Sequence, residues 1–403
     1  MTNLPRVAIL ADFKEEGWRS MDLVAEMLHA NLESAACGRV EAVLLRPKYI
    51  RLFALATRNR SAENLDRLVN RLVCYPLWLI RNRKNFDVFH VVDHSYSQLV
   101  HQLPAERTIV TCHDLDTFRC LLEPSRERRS GIFRAMTAWI MSGMRKAAIV
   151  TCVSDATRDA LVAHQVVPRE RTVVIPNGVH PAFTVEADAA ADAEAARLLG
   201  PAGADTIEIL HVGSTIARKR IDVLMRVFAE LRREFAGARL IRVGGHFASG
   251  QDDLARDLGI NGAIMAMPPL APQVLAAVYR RAALLMLPSD GEGFGLPMLE
   301  AMACGTPVLA SDLPSLRELG GDATVYAPIG DIRAWVAAAA AMLREHSGES
   351  WRGRREMGIA RAKRFTWDAY ASRVADLYED LWQRSGSRAA IREAKVAAAA
   401  SRD

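Results

Sequence analysis

The amino-acid sequence predicts an α/β protein built from two parallel sheets in tandem, and three observations lead to this expectation. Short apolar runs alternate with amphipathic stretches along most of the chain, which is typical of parallel strands joined by helical crossovers. A polar passage rich in alanine and aspartate, from Thr184 to Asp205, interrupts this alternation near the middle. At 403 residues, the chain is long enough for two domains. We therefore expect one α/β domain on each side of an interdomain connection at 184–205.

The first half of the chain contains six apolar runs that predict strands. These are Val7–Ala11, Val40–Leu45, Val88–Val92, Thr108–Cys112, Ala148–Cys152 and Thr172–Ile175. Helices are predicted near 20–33, 131–147 and 155–164. Because parallel strands need a crossover between them, this order favours an open parallel sheet.

The same order resumes after Asp205. The strand candidates are Ile207–Val212, Arg239–Val243, Ala263–Ala266, Leu284–Leu287, Pro307–Ala310 and Ala323–Tyr326. One of the intervening helices is predicted to start near Pro297, since proline suits the first position of a helix. Residues 351–384 are predicted to be helical, and the alanine-rich tail from Ser385 is predicted to fray.

The composition is that of a globular protein. Half of the residues are hydrophobic and a quarter are charged. The six cysteines show no paired spacing of the zinc or redox type, which fits a reducing cytoplasm. No secretory signal is visible. The most apolar stretch, Leu68–Ile80, is interrupted by Arg71 and Pro76 and falls short of the roughly 20 residues that cross a bilayer.

A basic segment at 46–84 carries most of the charge asymmetry of the chain. Ten Lys and Arg residues stand there against only Glu63 and Asp66. Leucines, Phe53 and Trp78 are interleaved with these charges, as in a surface that docks on an anionic leaflet. The alternatives are a solvated helical face or the basic flank of an acceptor cleft. Nucleic-acid binding is not expected, because no recognised binding module accompanies the charge.

The most informative stretch is Asp290–Ser311, which reads DGEGFGLPMLEAMACGTPVLAS. A glycine-rich turn leads there into the helix that Pro297 opens. The positive end of a helix with outward N–H groups suits a phosphate or an electron-rich hydroxyl. The N–H groups expected to point outward belong to Phe294, Gly295, Leu296 and Met298.

Two carboxylates accompany this turn. Glu292 stands in the loop, and Glu300 falls early in the helix, where side chains lean back toward the N-terminus. Both are therefore expected to enter one cavity, which would suit a sugar attached to a phosphate. The alternative is an ordinary strand–turn–helix in which glycine and proline only form the turn and bind no ligand. The whole run, including Cys304–Pro307, resembles the donor-site signature of the family 4 retaining glycosyltransferases (glycosyl transferases group 1), which have the GT-B fold.

The resemblance extends to His211–Arg220, at the end of the first strand of the second half. The matching family segment contacts the donor diphosphate through an arginine–lysine pair, so Lys219 is the main candidate and Arg218 the second. Cations are needed here because cleavage of a sugar–phosphate bond leaves negative charge on the diphosphate. Gly213 and Ser214 belong to the same loop, and some relatives carry an arginine where Ser214 stands. The alternative is a solvated basic loop.

Two places in the first half also resemble the family. His113 ends the Thr108–Cys112 strand as the matching histidine of relatives does, which approaches the donor sugar and the reaction centre. We interpret His113 as a hydrogen-bond partner rather than a strong base. Residues 15–20 stand where relatives have a glycine-rich loop, and Gly17 is expected to line the cleft. This loop lacks the Gly-x-Gly-x-x-Gly pattern, so a nicotinamide dehydrogenase is not expected.

The resemblance implies two Rossmann-like domains whose parallel sheets face each other across a cleft, with a C-terminal helix crossing back to the first domain. The implied boundaries are 1–185 for the acceptor-side domain, 206–365 for the donor domain, 366–384 for the returning helix and 385–403 for a frayed tail. No cofactor or metal is expected. Asp114-Leu115-Asp116 has the Asp-x-Asp form of a metal-binding motif in another glycosyltransferase fold, and we interpret this as coincidence.

The implied reaction transfers a sugar from a nucleotide-diphosphate sugar to a hydroxyl of a glycan or lipid-linked acceptor, with retention of configuration. Glu292 is the obvious nucleophile by comparison with retaining glycosidases. In this family, however, the equivalent residue binds the donor sugar, so a front-face displacement is favoured. Glu300 would hold the nucleotide ribose. A nucleotide-sugar epimerase of the same fold and a non-catalytic nucleotide-sugar-binding partner remain open alternatives.

Overall fold

The computed structural model describes residues 4–34, 38–54, 60–201, 203, 205–346 and 348–400, without the side chains of Arg60, Ser249 and residues 387–400. The chain forms two compact units. The first comprises Met1–Gly178 together with Trp367–Asp403, and the second comprises Val179–Thr366. Each unit contains one six-stranded sheet. The prediction of two parallel-sheet α/β units is therefore confirmed.

The sheet of the first unit has the strand order β2-β1-β3-β4-β5-β6, and every neighbouring pair is parallel. The strands are β1 (Arg6–Leu10), β2 (Glu41–Leu45), β3 (Val88–Val91), β4 (Thr108–Cys112), β5 (Ile149–Cys152) and β6 (Thr172–Val174). Strands β3, β4 and β5 are buried throughout. This is the pattern of a sheet covered on both faces, so the polar residues that follow the strands gather at its carboxyl edge.

The helices of the first unit begin with α1 (Arg19–Ser34). A nearly continuous helical stretch follows, made of α2 (Arg60–Val69), a single π turn (Asn70–Cys74) and α3 (Tyr75–Asn82). The remaining helices before the second unit are α4 (Arg119–Leu122), α5 (Gly131–Lys146) and α6 (Asp155–Ala163). Helices α5 and α6 coincide with the predicted helices at 131–147 and 155–164.

The last helix completes the core of the first unit. Helix α15 runs from Trp367 to Ala400 and buries Trp367, Val374 and Tyr378 with residues of β1 and α1. The hydroxyl of Tyr378 lies 2.7 Å from Nδ1 of the buried His90, whose Nε2 lies 2.7 Å from Thr111 Oγ1. The backbone of α15 continues past Ser385, whereas the side chains of 387–400, where fraying was predicted, lie outside the described residues.

The second sheet has the order β12-β11-β10-β7-β8-β9, again with parallel pairs. Its strands are β7 (Ile207–Val212), β8 (Ala238–Val243), β9 (Ile264–Met267), β10 (Leu284–Leu287), β11 (Val308–Ser311) and β12 (Val325–Ala327). The order reverses at β7, beside β10. In open parallel sheets, ligands bind at such a point, outside the carboxyl ends of the strands.

The helices of the second unit surround this sheet. They are α7 (Ala189–Leu199), α8 (Ile221–Glu234), α9 (Ser249–Asp257), α10 (Pro272–Arg281), α11 (Leu296–Ala303), α12 (Pro314–Gly320), α13 (Ile332–Arg344) and α14 (Glu349–Ala362). Helix α11 starts one residue before Pro297, as the proline predicted. None of the described helices is long and apolar enough to cross a membrane.

Helix α7 corrects the expectation that 184–205 is an interdomain connection. Asp188 caps this helix by accepting the N–H groups of Ala190 and Ala191. Ala191, Ala195 and Leu199 are buried, and Asp192 forms a 2.5 Å ion pair with Arg280 of α10. Half of the passage is therefore an integral helix of the second unit. It appeared linker-like because its buried face is made largely of alanine.

Candidate functional site

Three charged side chains converge at the carboxyl edge of the second sheet. Lys219 Nζ lies 2.5 Å from Glu292 Oε1, and a guanidinium nitrogen of Arg218 lies 3.2 Å from Glu292 Oε2. Ser289 donates a further hydrogen bond of 2.7 Å to Glu292 Oε1. Burial by itself raises the pKa of Glu292, but Lys219 and Arg218 outweigh it and hold that pKa at about 2. Glu292 is therefore ionised at neutral pH.

Two loops are tied together to form this cluster. Arg218 donates to the carbonyl of Gly291 at 2.7 Å and accepts the N–H of Asp290 through its own carbonyl at 2.8 Å. Ser315, at the start of α12, donates to the Glu292 carbonyl at 2.6 Å. The loop after β7 and the loop after β10 are thus held together by hydrogen bonds. The sequence did not predict this ion pair, because Lys219 and Glu292 lie 73 residues apart.

The predicted turn before α11 is present. Gly295 caps this helix at φ 102°, and a Cβ there would lie 2.6 Å from Leu316 Cδ2, so a side chain does not fit. Within the described residues, no backbone carbonyl accepts the N–H groups of Phe294, Gly295 or Leu296. Met298 corrects the prediction, because its N–H donates to the Gly295 carbonyl at 2.9 Å. The turn predicted to bind an anion therefore has three N–H groups without a backbone acceptor, instead of the four expected.

The ring of Phe294 points into the second unit. Its centroid lies 6.0 Å from that of Phe365 in an edge-to-face pair, and the residue is buried. Gly213 follows β7 in the neighbouring loop, and Ser214 beside it is exposed. A ligand can therefore meet Phe294 through its backbone, while Ser214 can offer both backbone and hydroxyl.

Glu300 has different partners from Glu292. Its Oε2 accepts a 2.8 Å hydrogen bond from the hydroxyl of the buried Tyr279 on α10. Burial raises the pKa of Glu300 to about 8, although the Tyr279 hydrogen bond opposes the rise. One carboxylate is held ionised by cations and the other is held largely protonated by burial. Tyr279 was missed by sequence reasoning because an aromatic residue on an amphipathic helix carries no signal beyond packing.

His113 lies at the carboxyl edge of the first sheet, as its position after β4 predicted. Its Nε2 lies 2.7 Å from the Val92 carbonyl, so this nitrogen carries the proton and donates it. Burial lowers the pKa of His113 below its usual range, although Asp93 opposes this. The imidazole is therefore neutral at pH 7, with Nδ1 as an acceptor. This chemistry agrees with a hydrogen-bond partner rather than a strong base.

Other polar residues gather at the same edge, and the sequence analysis missed them. Asp12 follows β1 and Asp93 follows β3, and both are buried. Burial and the neighbouring Asp93 raise the pKa of Asp12 well above its usual range. His94 lies 3.3 Å from Asp93 and accepts the N–H of His113 at 3.3 Å. The sequence could have indicated these residues as site candidates, because they come shortly after strands.

Gly17 caps a short 3₁₀ turn after β1, at φ 75°. Nothing lies within 4 Å of the Cβ that could be built on it, so its left-handed backbone is what favours glycine. Its predicted contact with a ligand stays a prediction.

The carboxylates of the Asp-x-Asp motif have local partners. Asp116 pairs with Arg119 at 2.5 Å, and Asp114 accepts the Asp116 N–H at 2.9 Å.

Two family models match the chain and together cover well over half of it. The model described as Glycosyltransferase Family 4 matches residues 39–183, and the one described as Glycosyl transferases group 1 matches residues 206–345. These ranges contain His113 in the first match, and Lys219, Glu292 and Glu300 in the second.

Curated relatives and solved structures agree with these matches. The chain is 37% identical over 235 residues to a D-inositol 3-phosphate glycosyltransferase of Nocardia farcinica, covering 55% of this chain and 51% of that protein. It is 27% identical over 309 residues to the O-antigen chain mannosyltransferase B of Escherichia coli, covering 75% and 76%. The chain thus spans about half the length of the inositol-phosphate relatives it matches.

The fold is shared with HepE of Anabaena, solved in complex with UDP and glucose. The TM-score is 0.70 at 15% identity, and the match covers 93% of this chain and all of that one. With matching models in both units and the expected charged loops in the second, the chain belongs to the family 4, group 1 glycosyltransferases.

Proposed function

We propose that this protein transfers a sugar from a nucleotide-diphosphate sugar to a hydroxyl acceptor, with retention of the anomeric configuration and without a metal ion. The observation that carries the proposal is the convergence of Lys219 and Arg218 on Glu292, beside the open N–H groups before α11. The relatives named for glycosyl and mannosyl transfer, and the neighbour that holds UDP and glucose, support this use of the site.

In this proposal the diphosphate takes over the two cations. Its charge would compete with Glu292 for Lys219 and Arg218, and the N–H groups of Gly295 and Leu296 would bind further phosphate oxygens. Glu292, released from its ion pairs, would then accept hydrogen bonds from the sugar hydroxyls. The cations would stabilise the charge that develops on the leaving diphosphate as the sugar–phosphate bond breaks.

Glu300 would hold the ribose of the donor through its hydroxyls. A protonated carboxyl can donate one hydrogen bond and accept others, and Tyr279 fixes its orientation. His113 would accept a hydrogen bond from the sugar through Nδ1.

The proposed chemical step is a front-face displacement. The anomeric carbon loses the diphosphate oxygen and gains the acceptor oxygen on the same face, through an oxocarbenium-like species. The acceptor proton passes to the departing phosphate oxygen, so no enzyme base is consumed.

The test uses labelled UDP-, GDP- and ADP-sugars with and without candidate acceptors, in EDTA. We expect acceptor-dependent transfer with retained configuration, turnover reduced by about two orders of magnitude in Lys219→Met, and a mainly raised donor KM in Glu300→Ala. Lys363→Met, at the end of α14, is the matched control.

Other outcomes would favour the alternative functions. Sugar conversion without acceptor would indicate an epimerase, and tight donor binding without turnover would indicate a non-catalytic binding partner. Unchanged kinetics in both site variants would refute the assignment.

We propose further that the acceptor is lipid-linked or lies at a membrane, and that the protein docks there through the 46–84 segment. Along α2, the π turn and α3, the side chains of Ala62, Asp66, Asn70, Tyr75 and Leu79 face the protein. The opposite side exposes Leu65, Leu68, Val73, Leu77 and Ile80, each between 39% and 50% exposed. The π turn adds one residue to the spacing, which keeps both series aligned along the helix.

A neighbouring loop adds apolar side chains to this surface. The Asp66 carboxylate accepts the N–H groups of Leu52, Phe53 and Ala54, each at 2.9 Å, and Asn70 binds both backbone groups of Ile50. Leu52, Phe53 and Ile50 are exposed.

The charges of the segment divide into two groups. Arg46 and Arg71 point inward, to Asp22 at 2.6 Å and to the Ser95 carbonyl at 2.6 Å. Exposed cations on the same elements include Arg51, Arg67, Arg81 and Lys84. Aliphatic side chains with a cationic border and no directional polar contacts fit an anionic lipid surface.

A further inference from the structure

A buried arginine lies directly beneath the proposed phosphate loop. Arg242 of β8 is the cross-strand neighbour of His211 of β7, and both are fully buried. One guanidinium nitrogen of Arg242 donates to the Gly213 carbonyl at 2.9 Å, and the other terminal nitrogen donates to the Gly245 carbonyl. Arg242 thus joins the loop after β7 to the loop after β8.

Arg242 has no counter-ion in the part of the chain that the structure describes. None of the ion pairs there involves it, and its Nε has no hydrogen-bond partner. Burial lowers the pKa of Arg242, yet an arginine stays protonated at any physiological pH. A buried charge without an opposite charge is costly. Two carbonyl acceptors and the ring of Phe247, whose centroid lies 5.1 Å from the guanidinium carbon, compensate this cost only in part.

His211 does not compensate this charge. Burial, together with the charges of Arg242 and Lys219, lowers the pKa of His211 to about 3, so the ring is neutral. Arg218, Lys219 and Arg242 thus bring three positive charges to these loops, and the first two contact Glu292. A ligand with at least two negative charges would complement them.

The Gly213 carbonyl also controls the direction of the next amide. A Cβ on Gly244 would lie 1.9 Å from this carbonyl oxygen, so the two loops are in close contact. In a trans peptide the N–H points opposite to the C=O. Because the Gly213 carbonyl is drawn toward Arg242, the N–H of Ser214 points away from Arg242.

We propose that Arg242 is a positioning residue and a third cation of the phosphate site, which orients the Gly213–Ser214 amide toward a diphosphate and raises affinity for it through its charge. This inference rests on the proposed use of the same site for a nucleotide-diphosphate sugar. It adds a residue on β8 to a site otherwise built from the loops after β7 and β10.

Inorganic pyrophosphate tests the inference without knowledge of the base or the sugar. Calorimetry should give saturable binding to the intact protein, and Arg242→Met should weaken it about tenfold or more, since one unit charge is lost in a poorly solvated site. Arg242→Lys, which keeps the charge, should lie between the two. The control is Arg239→Met on the same strand, where Arg239 pairs with Glu208; its pyrophosphate affinity should equal that of the unmodified protein.

Two results would overturn the inference: pyrophosphate affinity unchanged in Arg242→Met, or no pyrophosphate binding to the unmodified protein. Circular dichroism checks the fold of each variant. If Arg242→Met does not fold, Arg242→Gln replaces it, because the amide can still donate to the Gly213 carbonyl while the charge is lost. The two proposals can fail separately. If pyrophosphate binding depends on Arg242 but no sugar is transferred, the proposed function is wrong and the role of Arg242 in binding phosphate is still supported.

Discussion

Lys219 and Glu292 neutralise each other across two loops of the second unit. The pair is nearly buried, with side-chain exposures of 10% and 8%. Removing one partner leaves the other as a buried charge, so single substitutions change more than a ligand contact. Arg218 moderates this effect in a Lys219 variant because it remains beside Glu292. For this reason, kinetic tests of Lys219 need a parallel measurement of stability.

Glu300 makes stability depend on pH. Its folded pKa is about 8, whereas the unfolded chain releases this proton near 4.5. Between these values the folded state binds more protons than the unfolded state, so stability falls as pH rises. We expect Glu300→Gln to gain stability relative to the unmodified protein by on the order of a few kcal/mol between pH 5 and pH 8.

Urea unfolding at several pH values measures this difference. The unmodified protein is measured under the same conditions at each pH. A difference between Glu300→Gln and the unmodified protein that does not change with pH would contradict the assignment of the raised pKa to Glu300.

Sequence reasoning at this scale named candidate residues but not their partners. Glu292, Glu300, Lys219 and His113 were singled out because each follows a strand or opens a helix in a recognisable run. The Lys219–Glu292 ion pair could not be found, since residue spacing gives no distance between separate loops. Arg242 was missed because an arginine within an apolar strand is normally an edge residue facing solvent.

At the scale of single elements, the helical stretch from α2 to α3 makes the clearest prediction. We expect the protein to sediment with vesicles of phosphatidylglycerol and phosphatidylcholine at low salt. Leu68→Glu combined with Leu77→Glu should reduce binding about tenfold or more, since two aliphatic contacts are lost and two negative charges are added. High salt should weaken binding of the unmodified protein.

The matched control places the same two changes elsewhere. Ile329→Glu with Met357→Glu alters two exposed apolar residues of the second unit and should leave vesicle binding unchanged. Equal loss in both double variants, or no sedimentation of the unmodified protein, would argue for a solvated helical face.

The strands were predicted within one or two residues because each is a short apolar run bounded by polar residues. Helix α7 was missed although its signals were present: Asp188 at the cap and buried positions at a helical spacing. The π turn could not be predicted, because its single added residue has no local sequence signal. It became recognisable only once the inward and outward sides of the helix were known.

At the scale of the whole molecule, the two units differ in how the chain builds them. The second is continuous, from Val179 to Thr366, whereas the first needs α15 to cover β1 and α1. We expect a fragment of residues 179–366 to fold cooperatively. A chain ending at Thr366 should keep the second unit folded and lose the first, because buried Trp367, Val374 and Tyr378 would be missing.

Hydrogen exchange resolved by unit measures this outcome. A chain ending at Gly386, which retains the buried part of α15, is the control and should protect both units. Full protection of the first unit in the chain ending at Thr366 would show that α15 is dispensable for its core.

The split composition of the first unit has a consequence for synthesis on the ribosome. Residues 179–366 are all translated before any residue of α15. The second unit can therefore reach its final structure before the first unit does. Until α15 has been synthesised, the first sheet cannot complete its core, and the apolar face that α15 will cover stays exposed. We therefore expect a chaperone to bind the growing chain at that face.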